Sequence, residues 1–139
     1  MSAIRIPFKG VAPVFSTAEA AGADLTADGS ALLRPGQTVL VGTGTRVAIP
    51  EGYVGMLHLR SSLSARGILL AVGCGVIDSD YRGELRVPLV NVGQQNRIIA
   101  PGDRIAQLVI LKLPDVEYVA ASMLPGTARG EGGFGSTGR

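Results

Sequence analysis

The chain of 139 residues contains no tryptophan, one cysteine (Cys74) and one histidine (His58). One cysteine excludes an internal disulfide framework and a cysteine-built zinc site. One histidine excludes a multi-histidine metal site within a single chain. Lysine is confined to Lys9 and Lys112, so arginine carries nearly all the positive charge, and the formal net charge is only +2. With no basic run, electrostatics give no argument for nucleic-acid or membrane binding. No apolar run approaches the roughly 20 residues of a membrane helix, and no basic region leads into an apolar stretch near Met1. Neither a signal peptide nor a membrane span is expected, and the cytoplasm is the expected compartment.

What the chain has in quantity is turn-forming residues, including 20 glycines and 8 prolines. They punctuate short segments rich in Val, Ile and Leu, as Pro50-Glu51-Gly52 and Pro101-Gly102-Asp103 do. Strands are predicted at Val39–Val41, Thr45–Ile49, Tyr53–Leu59, Leu69–Val72, Leu85–Val92, Arg97–Ile99, Arg104–Leu111 and Val116–Val119. Many short strands at even spacing predict an all-β fold, a sandwich, jelly roll or closed barrel. Only Ser61–Arg66 reads as a helical turn, started by a serine cap. Pro88 within an apolar run predicts a sheet edge or a bulge. Several strands are apolar on both faces, which a small all-β monomer seldom hides, so burial against another subunit is expected.

Three segments carry polar chemistry. Gly75-Val76-Ile77-Asp78-Ser79-Asp80-Tyr81-Arg82-Gly83-Glu84 reads as a hairpin with Asp78 at the end of a strand, where a carboxylate can activate water or bind a metal. Asp80 fits a simple turn residue, and Arg82 and Glu84 read as solvated turn charges. Arg60-Ser61-Ser62-Leu63 puts a guanidinium and two hydroxyls at a helix start, a plausible anion site or a plain capped helix. Gly102 to Leu108 is a turn feeding a strand, with Gln107 between Ala106 and Leu108. Gly42-Thr43-Gly44-Thr45 superficially resembles a phosphate loop but has no Lys-Ser/Thr ending. His58 and Cys74 read as packing residues.

The last eleven residues, Arg129 to Arg139, include five glycines. Such a segment buries too little apolar surface to offset the entropy of ordering it, so residues 129–139 are expected to be a mobile tail on a domain of residues 1–128. Yet the tail carries Arg129, Phe134, Ser136 and Thr137. Arginine forks onto phosphate oxygens, an aromatic ring stacks on a base, and bare glycine N–H groups approach closely. A frayed terminus and a ligand-closing lid are both consistent with that composition.

In order along the chain, Ala21 to Ala27, Arg60 to Leu63, Gly75 to Glu84, Gly102 to Leu108 and Arg129 to Gly138 resemble the five motifs of the trimeric dUTP pyrophosphatase (dUTPase) family. The resemblance implies a jelly-roll-like subunit and a homotrimer with active sites at subunit interfaces. The third motif would come from one subunit, the first, second and fourth from another, and the tail from the third. It implies hydrolysis of dUTP to dUMP and pyrophosphate, which keeps uracil out of DNA and supplies dUMP for dTMP synthesis. Asp78 would deprotonate the water that attacks the α-phosphorus. Tyr81 would lie under the deoxyribose, and Val72, Val76, Ile77 and Arg86 would frame uracil. Arg60, Ser61, Ser62 and Gln107 would hold the phosphates. Arg129 would reach the γ-phosphate, Phe134 would stack on uracil, and Ser136 and Thr137 would complete the lid. Mg²⁺ would ride on the phosphates, with Asp24 in its outer shell through water.

Three positions depart from the usual pattern: Leu59 replaces a proline, Ser64 replaces Ala or Gly, and Val72 stands where some members carry Asn. The closest rival is dCTP deaminase, which shares the fold. It needs a glutamate where this chain has Pro88, and proline cannot act as acid or base. A rival of another class is a regulatory protein whose tail is switched by the nucleotide.

Overall fold

The computed structural model describes residues 2–138, eleven strands and one short helix. The strands are β1 (Phe8–Gly10), β2 (Ala23–Thr26), β3 (Ala31–Leu33), β4 (Thr38–Gly42), β5 (Thr45–Val47), β6 (Tyr53–Leu59), β7 (Ile68–Leu70), β8 (Gly75–Ile77), β9 (Arg86–Asn91), β10 (Arg97–Ile99) and β11 (Arg104–Lys112). The helix α1 covers Ser61–Ser64. A four-stranded sheet of order β2-β11-β6-β8 and a three-stranded sheet of order β4-β9-β7 form the body. Two antiparallel ribbons, β1-β5 and β10-β3, complete it. The fold is nearly all-β, as the turn spacing predicts.

Alternation places the core. Along β9, Val87, Leu89 and Asn91 are buried while Arg86 is exposed. Val87 and Leu89 meet Leu25 and Leu57 of the four-stranded sheet, Leu33 and Ile99 of a ribbon, and Leu63 of α1 in one apolar cluster. In β11 the register slips between Arg104 and Ala106, so that Ile105 and Ala106 are both buried. Beyond the slip Gln107 lies opposite Asp24 on β2 and His58 on β6.

Several expectations are corrected. Glycine 75 to Glu84 is no hairpin: β8 pairs with β6, whereas β9 pairs with β4 and β7, so the chain crosses between sheets after Asp78. Pro88 sits on the central strand β9, opposite Leu40. Its carbonyl accepts from the Ala71 N–H just beyond the end of β7 (2.8 Å), so the flank that faces its nitrogen is where the β7 ladder stops. No serine side chain caps α1, whose N-cap is Arg60; Ser64 Oγ instead donates to the Ser61 carbonyl at 2.7 Å. Val116–Val119 forms no strand and belongs to none of the sheets. Conversely, β1, β2 and β3 lie outside the predicted strands. His58 is exposed rather than packed, with Cys74 Sγ 3.8 Å from its Nδ1. Apolar faces remain uncovered, as Leu40, Val92 and Ile98 are each more than half exposed. No helix among the described residues is long and apolar enough to cross a membrane.

Candidate active site

The crossover between the sheets builds the first half of the site. Strand β8 is the edge of its sheet and ends at Ile77, which delivers Asp78 to the rim. The Tyr81 N–H donates to the Asp78 carbonyl (3.1 Å) and closes a turn. A cavity of about 590 Å³ opens there, lined by Leu40, Arg46, Val76, Ile77, Asp78, Tyr81, Glu84 and Arg86 among others. Two carboxylates, one aromatic ring and two guanidinium groups thus face a common space with apolar walls. That is suited to a nucleoside with an anionic tail. The Tyr81 hydroxyl donates to the Glu84 carbonyl (2.7 Å), which fixes the ring. The same loop also borders a second hollow of about 630 Å³, on the side of Pro50, Glu51 and Tyr53.

The second half lies at the N-terminal end of α1. Arg60, Ser62, Arg66, Asp103 and Arg104 line a separate cavity of about 380 Å³. Asp24 on β2 is buried, and its Oδ1 accepts from Arg60 Nη1 at 2.6 Å. Arg104 Nη1 is 3.8 Å from Asp24 Oδ2. One buried carboxylate therefore orients one guanidinium and faces a second, which leaves a net positive pocket for an anion. Gln107 neighbours Asp24 across the β2–β11 ladder, and Gly22 lets it lie close: a Cβ on Gly22 would be 3.0 Å from the Gln107 Cβ.

Within one chain these halves are distinct cavities. The structure brings together Val76, Ile77, Asp78, Tyr81 and Arg86, and separately Arg60 and Ser62. Ser61 is exposed at the start of α1. Val72 is exposed on the turn between β7 and β8, outside the cavity of Asp78. The tail joins neither half. Arg129, Phe134, Ser136 and Thr137 border only a hollow of the tail's own making. There Arg129 Nε donates to the Gly132 carbonyl at 2.6 Å, and Phe134 has a φ of +52° and a fully exposed ring. Arg139, the last residue of the expected lid, lies outside the described residues.

Sequence reasoning missed Arg46, Arg104 and the role of Glu84. Glu84 is not a solvated charge. Its Oε2 accepts from the Gly44 N–H (3.0 Å), and its Oε1 is 3.4 Å from Arg86 Nε. The Gly44 N–H, ahead of Arg86, holds its carboxyl below the usual glutamate range. The partner of Glu84 lies forty residues earlier, so no local pattern reveals it.

Comparison with known proteins places this geometry. The dUTPase family profile matches residues 9–138. A deoxyuridine 5′-triphosphate nucleotidohydrolase of Bifidobacterium longum is 45% identical over 120 residues, 85% of this chain and 76% of that protein. One of Anaplasma marginale is 43% identical over 129 residues, covering 91% and 88%. Among solved structures, a mutant Staphylococcus bacteriophage 80alpha dUTPase with dUpNHpp superposes with a TM-score of 0.88. The identity there is 26%, over 97% of this chain and 99% of that one.

Proposed function

The chain belongs to the dUTPase family, and from that premise we propose how its own residues divide the work. It is a dUTP diphosphatase, which hydrolyses dUTP to dUMP and pyrophosphate. The observation that carries the assignment of roles is the convergence of Asp78, Tyr81, Val76, Ile77 and Arg86 on one cavity.

In this reading Asp78 takes a proton from the attacking water. Oxygen bonds to the α-phosphorus, the bond from that phosphorus to the bridging oxygen breaks, and pyrophosphate leaves. A carboxylate fixed at a strand end suits this role because positioning and charge stabilisation supply most of the catalysis in phosphoryl chemistry. Tyr81, tethered through its hydroxyl, lies under the deoxyribose and leaves no space for a 2′-hydroxyl. Val76, Ile77 and Arg86 bound the base, with Val72 at the margin. Arg60, Ser61, Ser62 and Gln107 hold the phosphates, and Asp24 aims Arg60 at them.

Because the Asp78 cavity and the Arg60 cavity are separate within one chain, the complete site takes one from each of two subunits. The tail of a third closes it, with Arg129 on the γ-phosphate, Phe134 over uracil, and Ser136 and Thr137 beside the phosphates. A homotrimer also covers the exposed apolar strand faces. The expected compartment is the cytoplasm.

Enzymes of this family are metal-dependent, and we assign Mg²⁺. No group of three or more His, Cys, Asp or Glu suited to a metal occurs among the described residues. The carboxylate of Asp24, beside the Arg60 cavity, is already paired with Arg60. That donor set fits an ion held by phosphate oxygens and water, with Asp24 no closer than the outer shell. Bound there, the ion neutralises charge that spreads over the phosphates.

Product analysis tests the reading. Purified protein is incubated with Mg²⁺ and, separately, dUTP, dCTP, dTTP and UTP. The expected result is dUMP and pyrophosphate from dUTP alone. Ammonia release from dCTP would move the chain to the deaminase branch. Binding of dUTP without turnover would favour a nucleotide-switched regulatory protein.

A further inference from the structure

The stretch Gly42-Thr43-Gly44-Thr45 has no part in the site as described, yet it grips the loop that carries Tyr81. It is the corner between β4 and β5. Thr43 Oγ1 donates to the Leu85 carbonyl (2.6 Å), and the Leu85 N–H donates to the Thr45 carbonyl (2.8 Å). Arg46 Nη1 donates to the Arg82 carbonyl (3.2 Å). Between these anchors sits the Glu84 carboxylate, which accepts from the Gly44 N–H (3.0 Å). It lies against Gly42, where a Cβ would come 2.6 Å from Oε2. The two glycines serve this carboxylate: Gly42 by having no side chain, Gly44 by its φ of +67°.

Glu84 is therefore held at its side chain by the corner, while its own carbonyl holds the Tyr81 hydroxyl. Gly83 completes the trap, since a Cβ there would collide with the phenol. We propose that Glu84, seated in the Gly42–Thr45 corner, is a positioning residue that sets how sharply Tyr81 rejects a ribose. This rests on the reading of Tyr81 as the surface under the deoxyribose. The physical reason is general. A pocket rejects one added hydroxyl poorly by affinity alone, so a steric filter is only as selective as its wall is rigid. Glu84 is charged at neutral pH, and its lowered carboxyl pKa reflects the hydrogen bond from the Gly44 N–H, which the charge strengthens.

The test compares kcat/KM for dUTP and UTP in the full-length wild type, Glu84→Ala and Glu84→Gln. Losing a charge-assisted hydrogen bond is expected to lower the dUTP-to-UTP ratio about tenfold in Glu84→Ala, chiefly through faster UTP turnover. Glu84→Gln keeps an oxygen acceptor for Gly44 and is expected to restore most of the ratio. A folded Glu84→Ala with the wild-type ratio overturns the proposal. If that variant does not fold, Gly42→Ala displaces the carboxylate while retaining Glu84, and the same drop or its absence decides. The Tyr81 ring-flip rate, read by NMR without nucleotide, separates this proposal from the reading beneath it. Faster flipping in Glu84→Ala is expected even if the wild type fails to hydrolyse dUTP, and equal rates overturn the proposal.

Discussion

The loop from Asp78 to Leu85 and the segment from Leu113 to Gly138 are both irregular, yet they are held in opposite ways. The loop is pinned by Thr43, Gly44, Thr45 and Arg46, residues far away in the chain. The C-terminal segment has no strand, and Tyr118, Met123 and Leu124 are almost fully exposed. An apolar side chain left in water forgoes roughly 1.5–3 kcal/mol of burial, so such a run points to a surface the single chain does not supply. In the proposed reading, the protein builds the Asp78 floor from its own chain and takes its roof from its neighbours. Floor and roof then fail differently.

The largest effect belongs to the floor. Asp78→Asn is expected to lower kcat by about 10³-fold with dUTP binding retained, within the range for loss of a general base. Calorimetric titration beside steady-state kinetics checks it; loss of both binding and fold would make Asp78 a turn residue. Next comes the roof. Deleting residues 129–139 is expected to leave a folded protein with kcat/KM reduced about 10²-fold, because orientation and water exclusion are lost. Full activity after the deletion would refute the lid.

The smallest effect is on stability and again marks the pinned loop. The folded Glu84 carboxyl titrates below its ordinary value of about 4.3, so the unfolded chain takes up a proton first as the pH falls. Its contribution is complete above about pH 4.3 and is lost as the pH drops through the lower folded value. The difference in Tm between wild type and Glu84→Gln is expected to be constant from pH 7 to about pH 5 and to shrink below about pH 4. A difference that does not change with pH would show that the charge is not what Gly44 holds.

What the sequence reveals follows the same division. Asp78 and Tyr81 are legible because strand end, turn and aromatic residue lie within a few positions of one another. The all-β class is legible from turn spacing. The pairing of Asp24 with Arg60 and the clamp on Glu84 are not, because each joins residues 36 or 40 positions apart. The hairpin reading failed because a local pattern shows where a strand ends but not which sheet the chain enters next. Val116–Val119 has the composition of a strand, and its sequence cannot say whether a partner exists in the same chain.

Subunit complementation tests the central claim, that one site draws on several chains, most directly. Asp78→Asn protein and protein lacking residues 129–139 are each nearly inactive in this account. Unfolded together and refolded as mixed trimers, they form some sites with an intact Asp78 from one chain and an intact tail from another. The account predicts that dUTP hydrolysis returns on mixing, well above the sum of the two variants. Mixed trimers no more active than that sum would contradict it and confine each site to a single chain.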